Sequence, residues 1–265
     1  MEKKIDYSVL HQLDSPANRL IRKTIWGDHD IGQQSFITPQ YLDELIRKIS
    51  IGPEDYVLDI GSGVGGPAIY IAQKTGCRIM GIDVSDVGVE WARKFASDSG
   101  LSDRVTFHLG DAMEMPFPDS SFDIAISINV VNVFKDKEEL FRQVLRVLKP
   151  DGIFAFLSGA IEMPDNPEVI EYISRGCLPQ YHDTVGSYKS KLKRAGFQIR
   201  EIIEYVEDFR IQIKLWGDAY KKHYDAVVKE QGKENADHRV RYYDTYLRLI
   251  DEGRAGNYLF ISRKP

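Results

Sequence analysis

A glycine-rich turn directly after a short apolar run carries the strongest chemical signal in this sequence. The run VLDIGSGVGGP occupies positions 57–67 and contains Gly61, Gly63 and Gly65. Glycine adopts positive φ angles without strain and lets a ligand approach the backbone closely. A helix that follows such a turn keeps its first N–H groups free to face a ligand. Between a predicted strand and a predicted helix, this turn indicates a nucleotide-binding loop.

An acidic residue stands at the distance from this turn at which a ribose is bound. Asp83 ends the apolar run RIMGID and follows Gly63 by about 20 positions, the spacing found in nucleoside-binding folds. A carboxylate there accepts hydrogen bonds from the ribose hydroxyl groups. We therefore expect a nucleoside-containing cofactor rather than a tight turn without a ligand.

Two cofactors fit, a dinucleotide and S-adenosylmethionine, and three features favour the second. Asp59 precedes the glycines, where its carboxylate would repel a pyrophosphate and attract a cationic amino-acid group. Asp111 and Ala112 follow a third apolar run, where an acid is well situated to bind an adenine amino group. A Lys-Pro-Asp-Gly turn at 149–152 separates a predicted helix from a predicted strand.

The elements that must position these residues alternate between short apolar runs and helical segments. The runs are nearly all apolar, as expected of strands that are buried on both faces of a parallel sheet. Strands that alternate with helices predict right-handed crossovers and a doubly wound α/β fold. The predicted strands are 56–60, 78–83, 105–111, 122–128, 152–158, 199–206 and 257–264, and the predicted helices between them are 67–75, 85–99, 136–148 and 184–195.

Segments outside this alternation are predicted to cover the edge of the sheet. Residues 1–50 contain two amphipathic helical stretches and are expected to form an N-terminal helical lid. Residues 51–265 form the main domain, with helical cap insertions at about 161–183 and 210–252. We expect the lid and the caps to determine the choice of substrate.

Four motifs occur in order between about residues 50 and 160: VLDIGSGVGG, GIDVS, GDAMEMPFPDSSFDIAIS and LRVLKPDGIFAF. Together they resemble the class I S-adenosylmethionine-dependent methyltransferases. The resemblance implies a Rossmann-like sheet of seven strands whose last strand is antiparallel, and S-adenosylhomocysteine as the product. It also implies the cofactor-binding residues, which are Asp59, Gly61, Ser62, Gly63, Gly65, Asp83, Val84, Asp111, Ala112 and Asn129, with Gln34 and Ser35 at the cofactor carboxylate.

Within that family, the N-terminal stretch and the C-terminal helical insertion are similar to the phosphoethanolamine and sarcosine/dimethylglycine N-methyltransferases. This likeness implies methyl transfer to a small molecule, with an amine or amino-acid-like nitrogen as the leading acceptor. An O- or C-methyltransferase of a secondary metabolite or ring substrate is an alternative. The run SINVVNVF at 127–134 lacks the histidine that phosphoethanolamine methyltransferases carry there. A protein that binds the cofactor for a non-methylating activity is therefore a further alternative.

Methyl transfer requires above all that the nucleophile is held against the methyl group in a water-poor site. A base is needed where the nucleophile must lose a proton. His182 is the candidate for a base or a substrate contact. The alternative is a structural role in which His182 caps the helix that follows it. The candidate acceptor contacts are aromatic residues that can enclose an amine and an arginine that can neutralise an acidic group: Trp26, Tyr181, Trp216, Tyr220 and Arg175. Burial in the core of the caps is the competing role of the aromatic residues.

Composition limits the partners. The 265 residues include 35 Lys plus Arg and 40 Asp plus Glu, a net charge of −5 that disfavours a nucleic-acid partner. Cys77 and Cys177 have neither a disulfide framework nor a metal-ligand spacing, so we expect no metal. No apolar run reaches the length of a membrane span, and no signal peptide is recognised. We expect a cytoplasmic monomer or homodimer that acts on a small molecule.

Overall fold

The structure, a computed structural model, describes residues 15–33, 35–162 and 180–265. Gln34, Arg175 and most of the predicted first cap insertion lie outside the described residues. The strands are β1 (Tyr56–Ile60), β2 (Arg78–Asp83), β3 (Val105–Leu109), β4 (Phe122–Ile128), β5 (Leu148–Ile161), β6 (Gln198–Glu204) and β7 (Ala255–Arg263). The helices are α1 (Pro16–Trp26), α2 (Pro39–Ile49), α3 (Gly66–Thr75), α4 (Asp86–Asp98), α5 (Lys137–Val147), α6 (Val185–Ala195), α7 (Val206–Lys222), α8 (Tyr224–Gln231) and α9 (Lys233–Asp251).

The strands form one sheet in the order β3–β2–β1–β4–β5–β7–β6. β1 to β5 pair in parallel, and β7 runs antiparallel to both β5 and β6. The predicted α/β sheet of seven strands with an antiparallel last strand is thus confirmed. The strand order reverses between β1 and β4, and open α/β sheets bind their ligands in the crevice at the carboxyl ends of such a pair.

β5 extends beyond the predicted 152–158 at both ends. Its pairing with β7 continues from Ile153 opposite Arg263 to Ile161 opposite Ala255. At its start, β5 includes the Lys-Pro-Asp-Gly turn, where Asp151 has a φ angle of +68°. The partner that sets the length of β5 lies far along the chain, so local periodicity could not reveal it.

Other boundaries also differ from the prediction. β3 ends at Leu109 instead of 111, and the last hydrogen bond of its pairing with β2 is the one that the Gly110 N–H donates to the carbonyl oxygen of Asp83 at 2.9 Å. The helices of the second predicted cap begin at Val206 instead of 210, directly after Tyr205 donates its N–H to Asn257 at 2.8 Å. These shifts leave the polar residues after β3 exposed and lengthen the helical layer.

Buried apolar residues form separate clusters on the sheet and between the helices. Ala17 and Ile21 of α1 belong to the same cluster as Ile213 of α7 and Val227 of α8. That cluster also contains Ile161, at the carboxyl end of β5. The N-terminal helix and the C-terminal helices therefore form one layer beside the carboxyl edge of the sheet.

No helix within the described ranges is both long and apolar enough to cross a membrane. The same ranges contain no cluster of three or more His, Cys, Asp or Glu side chains that could hold a metal ion.

Candidate functional site

The glycine turn lies at the carboxyl end of β1 and is fixed by its neighbours. The Gly61 N–H donates to the carbonyl oxygen of Ile82 at 2.9 Å. Gly61, Gly63 and Gly65 have φ angles of +71°, +52° and +82°. A methyl group at position 61 would overlap the side chain of Val130, in the loop after β4. The turn therefore requires glycine both for its backbone conformation and for close packing.

Asp83 links the glycine turn to the carboxyl end of β2. One carboxylate oxygen accepts a hydrogen bond from the Gly63 N–H at 2.8 Å, and the other accepts one from the Ser85 N–H at 2.9 Å. Each carboxylate oxygen can accept a further hydrogen bond, so ribose hydroxyl groups could bind to it as well. Asp83 thus has a structural role in the turn that the sequence did not reveal.

Asp59 is the penultimate residue of β1 and is 2% exposed. Burial, followed by the charge of Asp83, raises the pKa of its carboxyl group to about 7. A cationic group bound nearby would counter both effects and favour the carboxylate. The position is therefore suited to recognition of an ammonium or a sulfonium group.

The carboxyl ends of β2 and β3 present apolar side chains beside an acid. Val84 and Leu109 are 41% and 48% exposed. Asp111 is also exposed, and one of its oxygens accepts a hydrogen bond from the Met113 N–H at 2.8 Å. Ala112 is buried in the turn that Asp111 begins. This surface suits a flat aromatic base with an amino group, and it includes the exposed Leu109, which the sequence analysis did not select.

Asn129 and Ser62 contribute buried polar atoms without protein partners. Asn129 follows β4 with a φ angle of +55°, and its N–H donates to the carbonyl oxygen of Leu157 at 2.8 Å. Its side-chain Nδ2 and the Ser62 Oγ are buried, and neither bonds to any described group. Such atoms are uncommon and cost stability. At this edge of the sheet they mark places where a ligand can supply the missing partner.

The N-terminal polar segment lies against the start of α3. A methyl group at Gly66 would overlap the carbonyl oxygen of Ile31. Gln33 is buried, and its side-chain oxygen accepts a hydrogen bond from the Ile31 N–H at 2.8 Å. Ser35 is half-buried two residues later, and Gln34 is outside the described residues. Gln33, which the sequence analysis did not select, is thus the glutamine that shapes this segment.

Three of the predicted acceptor contacts lie together between α1 and α7. The rings of Trp26 and Trp216 meet edge-on with centroids 6.4 Å apart, and Trp216 stacks on Tyr220, also at 6.4 Å. The indole N–H groups of both tryptophans are buried and have no partner in the described part of the chain. Buried indole N–H groups are usually hydrogen-bonded. Trp26, Trp216 and Tyr220, here called the tryptophan cluster, therefore offer two N–H donors beside an apolar surface.

His182, the predicted base, stands before α6. Both ring nitrogens are buried without a described partner, and the ring meets Tyr246 edge-on at 6.2 Å. Burial, and then the charge of Lys137, lowers the pKa of the imidazole to about 4. The side chain of Thr184 caps α6, so His182 does not. The neighbouring Tyr181 is exposed, and no described ring contact joins it to the tryptophan cluster.

Residues 58–156 match the protein family described as "Methyltransferase domain". The chain is 29% identical to methyltransferase GfsG of Streptomyces halstedii, over 84% of this chain and 79% of that protein. It is 34% identical to a sterol 24-C-methyltransferase of Pneumocystis carinii, over 54% of this chain and 40% of that protein. It is 32% identical to phosphoethanolamine N-methyltransferase 1 of Arabidopsis thaliana, over 87% of this chain. The chain spans only 47% of that last protein.

Solved structures share the fold over most of this chain. A putative sarcosine dimethylglycine methyltransferase from Galdieria sulphuraria gives a TM-score of 0.80 at 21% identity, over 95% of this chain and 98% of that one. The 4+2 cyclase SpnF gives 0.77 at 22% identity, over 97% and 96%. Phosphoethanolamine N-methyltransferase 2 of Haemonchus contortus, solved with phosphomonomethylethanolamine and S-adenosylhomocysteine, gives 0.79 at 22% identity, over 100% and 62%.

Proposed function

Because this chain belongs to the S-adenosylmethionine-dependent methyltransferases, we propose that it methylates a small molecule on an amine or amino-acid-like nitrogen. One observation carries the proposal: buried polar atoms without a described partner occur on residues that follow β1 and β4 and that precede α6, namely Ser62, Asn129 and His182. The carboxyl edge of the sheet bears the glycine turn and two acids. A cationic cofactor and a polar acceptor would satisfy these groups together.

S-adenosylmethionine supplies an activated methyl group on a good leaving group. In the proposal, Asp59 binds the cationic amino-acid end and Asp83 binds the ribose while it holds the glycine turn. Asp111, with the apolar surface of Val84 and Leu109, receives the adenine. The polar atoms of Ser62 and Asn129, and the residues around Gln33 in the lid, would contact the methionine part of the cofactor. The remaining proposed contacts are Gly61, Gly63, Gly65, Ala112, Gln34 and Ser35.

The acceptor side of the proposed site is formed by the helical layer. The tryptophan cluster packs α1 against α7, so the lid (1–50) and the second cap would together exclude water from the reacting groups. Aromatic rings attract a cationic amine, and their N–H groups can hold a polar substituent. Arg175 and Tyr181 stay proposed contacts that sequence alone supports. This arrangement favours a small, partly polar acceptor.

Carbon methylation is the second candidate, and the tryptophan cluster is the observation that favours it. Aromatic rings stabilise a positive charge on carbon as they do one on nitrogen, and a sterol 24-C-methyltransferase is among the relatives. A non-methylating use of the cofactor is the third candidate, since a cyclase has the same fold.

A transfer assay separates these three candidates. The protein is incubated with S-adenosylmethionine that carries an isotope-labelled methyl group, and with a panel of amines, amino acids, phenols and isoprenoid alkenes. We expect labelled product, seen by mass spectrometry, from nitrogen acceptors. Labelled product from phenols or alkenes alone would favour the second candidate. Cofactor binding without any labelled product would favour the third.

We further propose a cytoplasmic location and a monomer or homodimer with no nucleic-acid partner. The net charge of −5 supports only the last point, because it would repel the phosphates of a nucleic acid. Light scattering on the purified protein would determine the oligomeric state.

A further inference from the structure

Lys137 is a buried lysine that the proposed reaction does not use directly. It is the first residue of α5, and its side chain is 1% exposed. Its ammonium group donates to the carbonyl oxygens of Phe134 and Tyr181, at 3.0 and 2.6 Å, and lies 3.2 Å from the Asp183 carboxylate. A buried ammonium is costly unless it is paired and hydrogen-bonded. Lys137 meets that requirement through residues on both sides of His182.

The backbone around His182 is held from several directions. The Tyr181 N–H donates to the carbonyl oxygen of Asn132 at 2.7 Å. The Asp183 carboxylate accepts from Lys191 and from the Ser187 hydroxyl, each at 2.6 Å. The Asp183 carbonyl oxygen accepts from the Ile161 N–H, at the end of β5. The segment 181–183 is therefore fixed to the sheet and to two helices.

The imidazole of His182 has no hydrogen bond in this firmly held segment. Both ring nitrogens are buried and lack a partner in the ranges described. A ring held so firmly yet left unpaired costs stability. The side-chain Oδ1 of Asn132 also has no partner in the described residues, while its backbone oxygen accepts the hydrogen bond from Tyr181. The unpaired atoms of His182 and Asn132 together point to an external molecule that donates a hydrogen bond.

We propose that Lys137 is a positioning residue that holds His182 in the acceptor site as a neutral hydrogen-bond acceptor. The proposal rests on the proposed function, since His182 acts only when an acceptor molecule binds beside it. Of the roles that the sequence suggests for His182, base or substrate contact, the proposal selects the substrate contact.

Several charged or titratable groups determine the protonation of His182. The charge of Lys137 acts on it from α5 and that of Asp183 from its own segment, the ring of Tyr246 on α9 contacts it, and Lys191 from α6 pairs with Asp183. The ammonium of Lys137 opposes a second positive charge nearby, and burial acts in the same direction. Asp183 favours protonation, but two lysines share its charge. The imidazole is therefore neutral at pH 7, with one ring nitrogen protonated and the other free to accept a hydrogen bond, in accord with its pKa of about 4.

In this proposal, His182 does not remove a proton from the acceptor before methyl transfer. The acceptor reacts as a neutral amine. A neutral His182 accepts a hydrogen bond from the N–H of that amine and so orients the lone pair of its nitrogen toward the methyl group. The lone pair forms the new carbon–nitrogen bond as the carbon–sulfur bond breaks, and the electron pair of that bond remains on sulfur. The added positive charge stays on the product nitrogen until water removes the proton. The pH dependence should then follow the acceptor's own pKa and show no histidine ionisation.

The test measures the protonation of His182 by NMR in the protein saturated with S-adenosylhomocysteine. The His182 signal is the one that disappears in His182→Gln. In the wild type it should not shift between about pH 5.5 and 8, where an ordinary histidine titrates. Lys137→Met removes the lysine charge but leaves the burial, so the pKa of His182 should rise and the signal should shift at a higher pH than in the wild type. Lys149→Met, which removes an ion-paired lysine at the start of β5, is the matched control and should leave the signal unchanged.

Activity provides a second readout of the same change. Because the pKa of His182 should rise in Lys137→Met, kcat/KM should fall more at pH 6 than at pH 8. A purely structural loss would be equal at both pH values and would overturn the proposal. A wild-type His182 signal that titrates near pH 6.5 would also overturn it, even if Lys137→Met does not fold. Absence of any methyl transfer would instead contradict the proposed function, while the wild-type titration would still decide the state of His182.

Discussion

Two buried titratable residues near the carboxyl edge of the sheet are both destabilised as ions by the loss of water, but their neighbours differ. Burial lowers the pKa of Lys137, while the Asp183 carboxylate opposes that shift, and two carbonyl oxygens also accept hydrogen bonds from the lysine. Burial, and then the charge of Asp83, raises the pKa of Asp59 to about 7. An acid that is only partly ionised at neutral pH responds strongly to a bound cation. At the residue scale, Asp59 is therefore the group whose behaviour depends most on the cofactor.

Asp59→Asn should change the pH dependence of stability. The pKa of Asp59 is raised in the native state, so the native protein holds this proton more tightly than the unfolded chain. Its contribution is fully present below about pH 4 and is lost as the pH rises through about 7. The ligand-free variant should therefore gain melting temperature, relative to wild type, more at about pH 8 than at about pH 5.

Thermal denaturation at both pH values measures this difference. The stabilisation by S-adenosylhomocysteine should shrink in the variant, because the cationic group loses its carboxylate. An equal change of melting temperature at the two pH values would show that Asp59 has an ordinary pKa.

Gly61→Ala should be much more damaging than Gly100→Ala. Both positions have similar positive φ angles, +71° and +67°, so both variants bear a strain of about 1–2 kcal/mol. Only at Gly61 does the added methyl group overlap Val130, whereas nothing lies near it at Gly100. Overpacking should cost Gly61→Ala a further 1–3 kcal/mol or so.

Urea unfolding measures the free energy of unfolding of both glycine variants. Val130→Ala should recover part of the loss in Gly61→Ala, because it removes the overlapping methyl groups. Equal losses in the two single variants would mean that the turn and the loop after β4 are not packed as described.

At the scale of elements, the N-terminal segment packs against both the start of α3 and the C-terminal helices. It contacts the first turn of α3 through Ile31, and Trp26 at the end of α1 contacts α7. The glycine turn and the C-terminal helices are thus joined through one short stretch of chain. Movement of that stretch would open the cofactor side and the acceptor side together.

Gly66→Ala tests this contact between the elements. The added methyl group meets the backbone of Ile31, so the N-terminal segment should be displaced while α3 itself gains helix propensity. Hydrogen exchange should increase in residues 27–38 and remain unchanged in β4 and β5. Gly186→Ala, in the first turn of α6 with only ordinary contacts around it, is the control. Unchanged exchange in residues 27–38 would contradict the contact.

The sequence predicted the elements well where a local pattern determines them. The strands β1 and β4 are continuous apolar runs, buried on both faces, and Gly196 ends α6 with a φ angle of +106°. β5 was predicted too short, because its pairing with β7 depends on residues about a hundred positions away. The hydrophobic pattern of a short stretch of sequence cannot reveal a strand pairing between such distant residues.

The candidate site was predicted where its residues are adjacent in sequence to a strand end. Asp59, Asp83 and Asp111 belong to motifs whose spacing is fixed by the fold. Lys137 and Gln33 had no such signal, since a lysine at a helix start and a glutamine in a polar loop are normally exposed. Lys137 owes its role to a tertiary contact with Tyr181, and Gln33 to its burial together with a local hydrogen bond from the Ile31 N–H.

At the scale of the whole molecule, the proposed function assigns cofactor binding to the sheet and acceptor binding to the helical layer. The sheet presents the acids and the glycine turn at one edge, and the helical layer covers the carboxyl end of β5 with aromatic residues. Cofactor affinity should therefore respond to changes in the strand ends, and acceptor choice to changes in α1 and α7. The same division would let related chains act on nitrogen or on carbon with one cofactor site.

Calorimetric titration of S-adenosylhomocysteine, S-adenosylmethionine and NADH into the wild type and into Asp83→Ala tests the central claim most directly. We predict one site per chain for the first two ligands and no binding of NADH. Asp83→Ala should bind the same two ligands about 1–3 kcal/mol more weakly, because a charged hydrogen-bond partner is lost. Binding of NADH alone, or an affinity for S-adenosylhomocysteine that is unchanged in Asp83→Ala, would contradict the account.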